Sequence, residues 1–218
     1  MPFVRDVLLT LNAVQIVLRD SNQTEQIHVA EETTGRRAFR KVLARLRNTE
    51  HGRALLAERP EITTQRVDLT ALRKLPRHTL GAAYVAHLDD NGLSADLQAL
   101  PTRYVQDDDV AYLMRRFRQT HDVWHPLTSL GAQAFQEVII HAFSLGQLHL
   151  PVSAMIVGFG GIKHGLLEGR WRMLRSTLLD AYRSGRDADD LIGVRWESHW
   201  QEPLEEVRRR YRVRAIAD

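Results

Sequence analysis

A chain of 218 residues, 44% of them hydrophobic, holds enough apolar material for one large core. The absence of cysteine excludes a disulfide framework and any thiolate metal site, so a bound metal must take nitrogen and oxygen ligands. The formal charge is only +3, carried mostly by arginine beside Lys41, Lys74 and Lys163, and it comes with no zinc finger or aromatic platform, so nucleic acid is not an expected partner.

The first residues, Met1 to Asp6, carry neither a charged leader with a small-residue cleavage site nor a Ser/Arg-rich transit sequence, which points to a bacterial, cytoplasmic protein. Residues 3 to 19 place Val4, Leu8, Leu11, Val14, Ile16, Val17 and Leu18 on one broad helical face, suited to core packing or to docking on a membrane surface or a second subunit. Glu31 to Gly35 reads as a loop leading into a helix that Thr33 or Thr34 caps, with Arg36 and Arg37 as an alternative phosphate-binding helix start. Ala38, Phe39, Val42, Leu43 and Leu46 then give an amphipathic helix with arginines outside. A short helix over Gly52 to Leu56 stops at Arg59-Pro60, and another spans Leu80 to Leu88. No linker or composition shift interrupts the chain, so 1–218 is expected to be a single domain.

Asp107, Asp108 and Asp109 precede the next helix. Capping and the helix dipole account for them without a cation. Val110, Leu113, Met114 and Phe117 form its inner face, with Arg115, Arg116 and Arg118 outside or paired. It leads into His121-Asp122-Val123-Trp124-His125, where His121 and His125 stand at i and i+4 and Asp122 three residues before His125. All three then point to one side. Two imidazoles and a carboxylate from one helical face suit a divalent cation, and Glu137 from the following helix could add a fourth ligand. Pro126 should end or kink the first helix at His125. His141, one turn beyond Glu137, reads as pocket lining behind the ligands or as a satisfied core histidine.

Between Val138 and Ile162 no acidic residue, lysine or arginine occurs, yet His141, Gln147, His149, Pro151 and several glycines argue against a membrane span. Two helices meeting at Leu150-Pro151 fit better, with Ala154, Met155, Val157, Gly158 and Phe159 lining an apolar channel or simply packing between helices. A helix from Leu166 to Tyr182 carries Trp171, Leu174, Leu178 and Leu179, and Ser184 to Asp190 forms a polar turn. Trp196, Trp200, Leu204, Val207 and Tyr211 recur at helical spacing as core residues, ringed by Arg208, Arg209, Arg210, Arg212 and Arg214 as a solvated face or one for an anionic membrane. Periods near 3.6 throughout predict an all-α domain of about eight to ten helices.

His-Asp-x-x-His, eleven residues and then Glu137 resembles the signature of the Coq-four family of ubiquinone (coenzyme Q) biosynthesis proteins. Glu32-Thr33-Thr34-Gly35, Leu56 to Pro60, Leu75-Pro76 with Thr79-Leu80-Gly81, Pro101 to Val105 and Arg195-Trp196-Glu197 also resemble family segments, in the family's order. The resemblance implies a helical fold and a polyprenylated aromatic ligand, with replacement of the ring carboxyl at carbon one by hydroxyl. It also implies a divalent metal on His121, Asp122, His125 and Glu137, which would be the catalytic groups too. Zinc leads the candidate ions, ahead of manganese, iron and magnesium. The channel would then take the isoprenoid tail. Two other readings stand beside this one: a non-catalytic prenyl-lipid scaffold for other quinone-biosynthesis enzymes, and a His-Asp metal phosphohydrolase. A homodimer and peripheral attachment to the inner face of a membrane are further expectations.

Overall fold

The computed structural model describes residues 24–169 and 171–216. The apolar helix expected over residues 3 to 19 lies outside them. Among the described residues there are ten α-helices and no strand, as the 3.6-residue periodicity requires. They are α1 (Thr24–Thr34), α2 (Arg36–Arg47), α3 (Glu50–Glu58), α4 (Leu69–Leu72), α5 (Leu80–Asn91), α6 (Asp108–Thr128), α7 (Ala134–Leu148), α8 (Pro151–Gly160), α9 (Trp171–Asp187) and α10 (Leu204–Arg210). A π-helical turn, Gly161–Leu167, follows α8 directly.

Helix α6 is buried on nearly every side from Val110 to Thr128, with α2, α5 and α7 packed on it, while α8 and α9 pack on α7. Its start is fixed as expected, by the Asp107 carboxylate accepting from the backbone N–H groups of Asp109 and Val110. Phe39, Val42, Leu43 and Leu46 form the buried stripe of α2, which leans on α6 from one side. On another side α5 is capped by Thr79 and closed by Gly92 at φ +62. The buried side chains make one continuous cluster from Ala30 to Val213.

Several local expectations are corrected by the structure. Glu31 to Thr34 is the end of α1 rather than a loop, and Thr33 and Thr34 do not cap α2. Their hydroxyls donate backward, to the carbonyls of Val29 at 2.8 Å and Ala30 at 2.6 Å. The sequence misled because the inner face of α1 carries buried carboxylates, Glu31 and Glu32, where a hydrophobic stripe would be sought. Pro126 does not end α6, which runs on to Thr128. The Thr128 hydroxyl donates to the Trp124 carbonyl at 2.8 Å, and the Arg208 guanidinium caps the carbonyls of Pro126 and Leu127 at 2.8 and 2.9 Å. These bonds offset what the proline removes.

Helix α9 begins at Trp171, not Leu166, and continues through the supposed turn at Ser184 to Asp187. It does so because α7 and α9 touch backbone to backbone: a Cβ on Gly185 would strike the Phe143 carbonyl, and one on Gly146 the Tyr182 carbonyl. Trp171 and Leu179, expected on its apolar side, are exposed. Trp196 and Trp200 are core residues as expected, but they sit on short non-α segments ahead of Pro203 instead of on one helix with Val207. Arg208 is likewise a capping group for α6 rather than part of a solvated face.

Five segments recognised in the sequence meet through space. The Glu32 carboxylate accepts from the backbone N–H groups of Arg103 and Tyr104 at 2.7 and 2.9 Å, joining the start of the chain to the loop before α6. Gly81 N–H donates to the Trp200 carbonyl at 2.8 Å, and no side chain fits between them. Arg116, fully buried, forks onto Glu197 at 2.5 and 2.9 Å and also donates to the carbonyls of Val194 at 2.9 Å and Pro60 at 3.3 Å. Removing one member of such a pair strands the other charge inside the protein. Arg116→Ala should therefore lower the unfolding free energy by about 3–5 kcal/mol in denaturant titration, and Glu197→Ala by a similar amount.

Candidate metal centre

His121 and His125 lie one turn apart on α6, and Glu137 faces them from the first turn of α7. One ligand atom from each gathers within 4.8 Å of the others, the spacing that three ligands around a single cation require. Nε2 of His125 is 3.4 Å from Oε1 of Glu137. Nδ1 of His125 is 3.2 Å from the Leu130 carbonyl, which can only accept, so the proton sits on Nδ1 and the Nε2 lone pair faces Glu137. His87 stacks on the His125 ring at 4.4 Å and fixes its plane.

Asp122 takes a different place from the other three. It contributes no atom to the cluster; its Oδ1 lies 3.8 Å from Nδ1 of His121, and its charge also bears on Tyr84 and His87 of α5. Oδ2 of Asp122 and Nε2 of His121 are both buried without a hydrogen-bond partner among the described residues. Orphaned buried polar atoms of this kind are costly unless something else meets them. The donor set of imidazole nitrogens and carboxylate oxygens fits a zinc, manganese or iron ion.

The electrostatics of the cluster divide its histidines. Burial works against a charged His121, but the carboxylates of Asp122, Glu137 and Glu31 outweigh it and hold the imidazole above the ordinary histidine value. His125 is held well below that value by burial and by the charges of His121 and His87, and His141 by burial and His121. Burial also pushes Glu137 up, opposed by His121 and reinforced by Asp122.

The cluster opens on a cavity of about 480 Å³ whose walls come from α1, α6, α7 and α8. Glu31, Arg118, Asp122 and His141 line its buried end; Val138, Val152, Met155 and Ile156 form an apolar wall. Leu93, Phe159 and Lys163 are exposed members of the lining and mark its mouth. Of the residues expected to line an apolar channel, Met155 and Phe159 do, whereas Ala154 and Gly158 face outward and Val157 is also outside the lining. A helix eight or more residues long shows a cavity only one stripe, and here the stripe is Val152, Met155, Ile156 and Phe159. His141 lines the cavity, with Nδ1 hydrogen-bonded to the Ser153 hydroxyl at 3.2 Å.

Glu31 was not expected at the site. Arg118, one turn before His121, donates from Nε to Glu31 at 3.1 Å and from Nη2 to Glu32 at 2.9 Å, with all three side chains almost fully buried. The signal available in the sequence was the Glu31-Glu32 pair and an arginine on the motif helix three residues before His121.

Fold and site together define a class: all-α proteins with a histidine–carboxylate centre at the buried end of a largely apolar cavity. A sequence model described as "Coenzyme Q (ubiquinone) biosynthesis protein Coq4" matches residues 2–217. The chain is 31% identical over 218 residues to the Anopheles gambiae protein named "Ubiquinone biosynthesis protein COQ4 homolog, mitochondrial", covering 98% of this chain and 75% of that one. Over 202 residues it is 32% identical to the human protein of the same name, with 92% and 75% covered. Its fold is similar to the crystal structure of a protein assigned to ubiquinone biosynthesis from Nostoc punctiforme, with a TM-score of 0.73 at 25% identity over 96% of this chain and 97% of that one. The chain belongs to the Coq4 family of coenzyme Q biosynthesis proteins. No helix among its described residues is long and apolar enough to cross a membrane.

Burial pushes the Glu31 carboxyl up to about 7, against the attraction of Arg118 and with the repulsion of Glu32. A carboxyl whose folded value is raised gives stability that is fully present below its unfolded value and is lost as pH rises toward the folded one. Chelator-treated wild type should thus lose on the order of 2 kcal/mol relative to Glu31→Gln between about pH 4.5 and 7, read by denaturant titration at each pH.

Proposed function

We propose that this protein binds a polyprenylated aromatic intermediate of ubiquinone biosynthesis, with its ring beside a divalent metal and its tail along the apolar wall, and promotes replacement of the carboxyl at ring carbon one by hydroxyl. The observation that carries the reading is the continuity of the cavity from His121 and Glu137 of the cluster to the Met155–Phe159 stripe. Such a cavity suits a ligand with an anionic head and an apolar tail.

His121, His125 and Glu137 would hold the ion, with Asp122 completing the set if its side chain turns toward them. When bound, the cation supplies positive charge against a ring carboxylate or phenolate, and zinc is the ion we favour. The other roles belong to the protein. The Leu130 carbonyl keeps the His125 proton on Nδ1. Val138, Met155 and Ile156 exclude water from the ring and take the first isoprene units. Exchanging carboxyl for hydroxyl would take the oxygen of one admitted water molecule, break the ring–carboxyl bond with release of carbon dioxide and two protons, and pass two electrons to an external acceptor. The tail would leave through the mouth at Phe159 and Lys163; the following segment also exposes Ile162, Leu167 and Trp171, a combination suited to an anionic bilayer surface.

A prenyl-lipid scaffold uses the same cavity without turnover. A His-Asp phosphohydrolase would share the His121-Asp122 doublet but gives the apolar stripe of α8 no role.

Elemental analysis should find about one equivalent of metal in the wild type. His121→Ala and Glu137→Ala should lose it and keep their helical circular dichroism, since neither side chain belongs to the apolar core. Metal retained in both variants would remove the centre. Because the ligand nitrogens must be unprotonated and the neighbouring carboxylates favour the His121 proton, metal affinity should fall as the pH is lowered, read by metal titration at several pH values. With a prenylated hydroxybenzoate and an oxidant, release of carbon dioxide supports catalysis, and tight binding without release supports the scaffold. Met155→Lys should weaken binding of the prenylated ligand by about tenfold or more, the cost of a charge against the tail. Ala154→Gln, on the outer face of the same helix, should leave binding unchanged.

A further inference from the structure

We propose that Glu31, held in place by Arg118, is the group that recognises a ring hydroxyl of the ligand's aromatic head, and so selects phenolic rings over rings that lack the hydroxyl. This rests on the reading above that the cavity takes an aromatic head group beside the metal centre.

Three observations carry it. The first is charge. Arg118 is met by two carboxylates, Glu31 and Glu32, at 3.1 and 2.9 Å, and all three are buried. One carboxylate is enough to balance one guanidinium. Glu32 is also bound by the backbone N–H groups of Arg103 and Tyr104, so its role in tying down the preceding loop is complete. Glu31 is the surplus carboxyl, and folding alone gives no reason to bury it.

The second observation is place. Glu31 lines the cavity and Glu32 does not. It is buried to 2% exposure, yet its carboxyl is at the wall where a ligand would lie. The third is alignment. Arg118 and His121 stand three residues apart on α6, so their anchoring points are about one helical turn, roughly 5 Å, apart. That separation is comparable to the span of an aromatic ring. A head group with one substituent on the centre at His121 and Glu137 brings a substituent on the far side of its ring toward Glu31. The carboxyl can accept from a phenol when ionised and donate when protonated, and its raised value of about 7 lets both forms occur near neutrality.

A buried group that pairs with a ligand hydroxyl is left unpaired by an analogue without it, which is the basis of strong selection. The binding partners for the test are a geranyl-substituted hydroxybenzoate and the geranyl-substituted benzoate lacking the hydroxyl, measured by calorimetry on metal-loaded protein. Wild type should prefer the hydroxylated head by about 30-fold or more. Glu31→Met keeps the volume and leaves Arg118 paired one-to-one with Glu32; it should retain metal and bind both ligands within about threefold of one another. Glu31→Gln can still accept and donate, and should restore most of the preference.

A Glu31→Met variant that still prefers the hydroxylated head as wild type does would overturn the proposal. So would a wild type that binds both heads equally, and in both cases the prenyl-ligand reading stands. If wild type binds neither ligand while holding its metal, that reading itself falls, and the role of Glu31 falls with it. Should Glu31→Met fail to fold, Glu31→Ala gives the same readout, with the preference again expected to vanish.

Discussion

Helix α6 carries Arg116, Arg118, Asp122 and His125 into the interior, each at 4% exposure or less. Water cannot solvate them there, so every one of these groups needs a partner supplied by the rest of the chain. The architecture follows from how that need is met. Arg116 is answered by Glu197 and two backbone carbonyls, which draws the C-terminal segment across the helix. Arg118 is answered by Glu31 and Glu32, which draws α1 against it from the opposite end of the sequence. Apolar packing supplies most of the driving force, but it is indifferent to which apolar surface meets which. The buried charges are particular, and they set the order of the helices around α6.

The candidate site is where that answering is left incomplete. His121 Nε2 and Asp122 Oδ2 have no partner among the described residues, while His125 is fully specified by Leu130 on one side and Glu137 on the other. A protein that had only to fold would close such gaps with protein groups. Here His121 and Asp122 both line the buried end of a cavity with an apolar wall, where Glu31 is also part of the lining. The polar end takes Arg118, His121 and Asp122 from α6, Glu31 from α1 and Glu137 and His141 from α7, while the apolar wall is mostly α8 with Val138 of α7. The place of α8 is set by its packing on α7, itself locked to α9 where Gly146 and Gly185 let the backbones touch. Helix α7 therefore joins the two ends of the cavity.

Much of this was legible beforehand. Helical class followed from periodicity, because an α-helix that buries one face has to repeat its apolar residues every 3.6 positions. His121 and His125 followed from spacing, since i and i+4 share a helix face whatever the tertiary context; Glu137, on the next helix, was legible only through the family resemblance. The Asp107 cap and the break at Leu150-Pro151 are likewise local chemistry, complete within a few residues. Family membership was legible for the same reason, being written in short segments whose order does not depend on a fold.

What the sequence could not decide were matters settled between residues far apart in it. The end of α6 lies beyond Pro126 because Arg208, more than 80 positions later, caps its carbonyls. Glu31 and Glu32 belong to a buried helix face because Arg118 comes to meet them, and no one-dimensional pattern scores a carboxylate as interior. Asp122 shares a helix turn with the two histidines but not their cluster, since side-chain direction depends on what packs around the helix. The cavity wall reduces from the whole of Ala154 to Phe159 to a single stripe for the same reason: the pattern marked the segment as apolar, and only packing chose which side of it faces in. Local geometry is fixed by bonds within a turn or two of the chain, whereas burial and partnership depend on long-range contacts that form only when the chain has closed on itself.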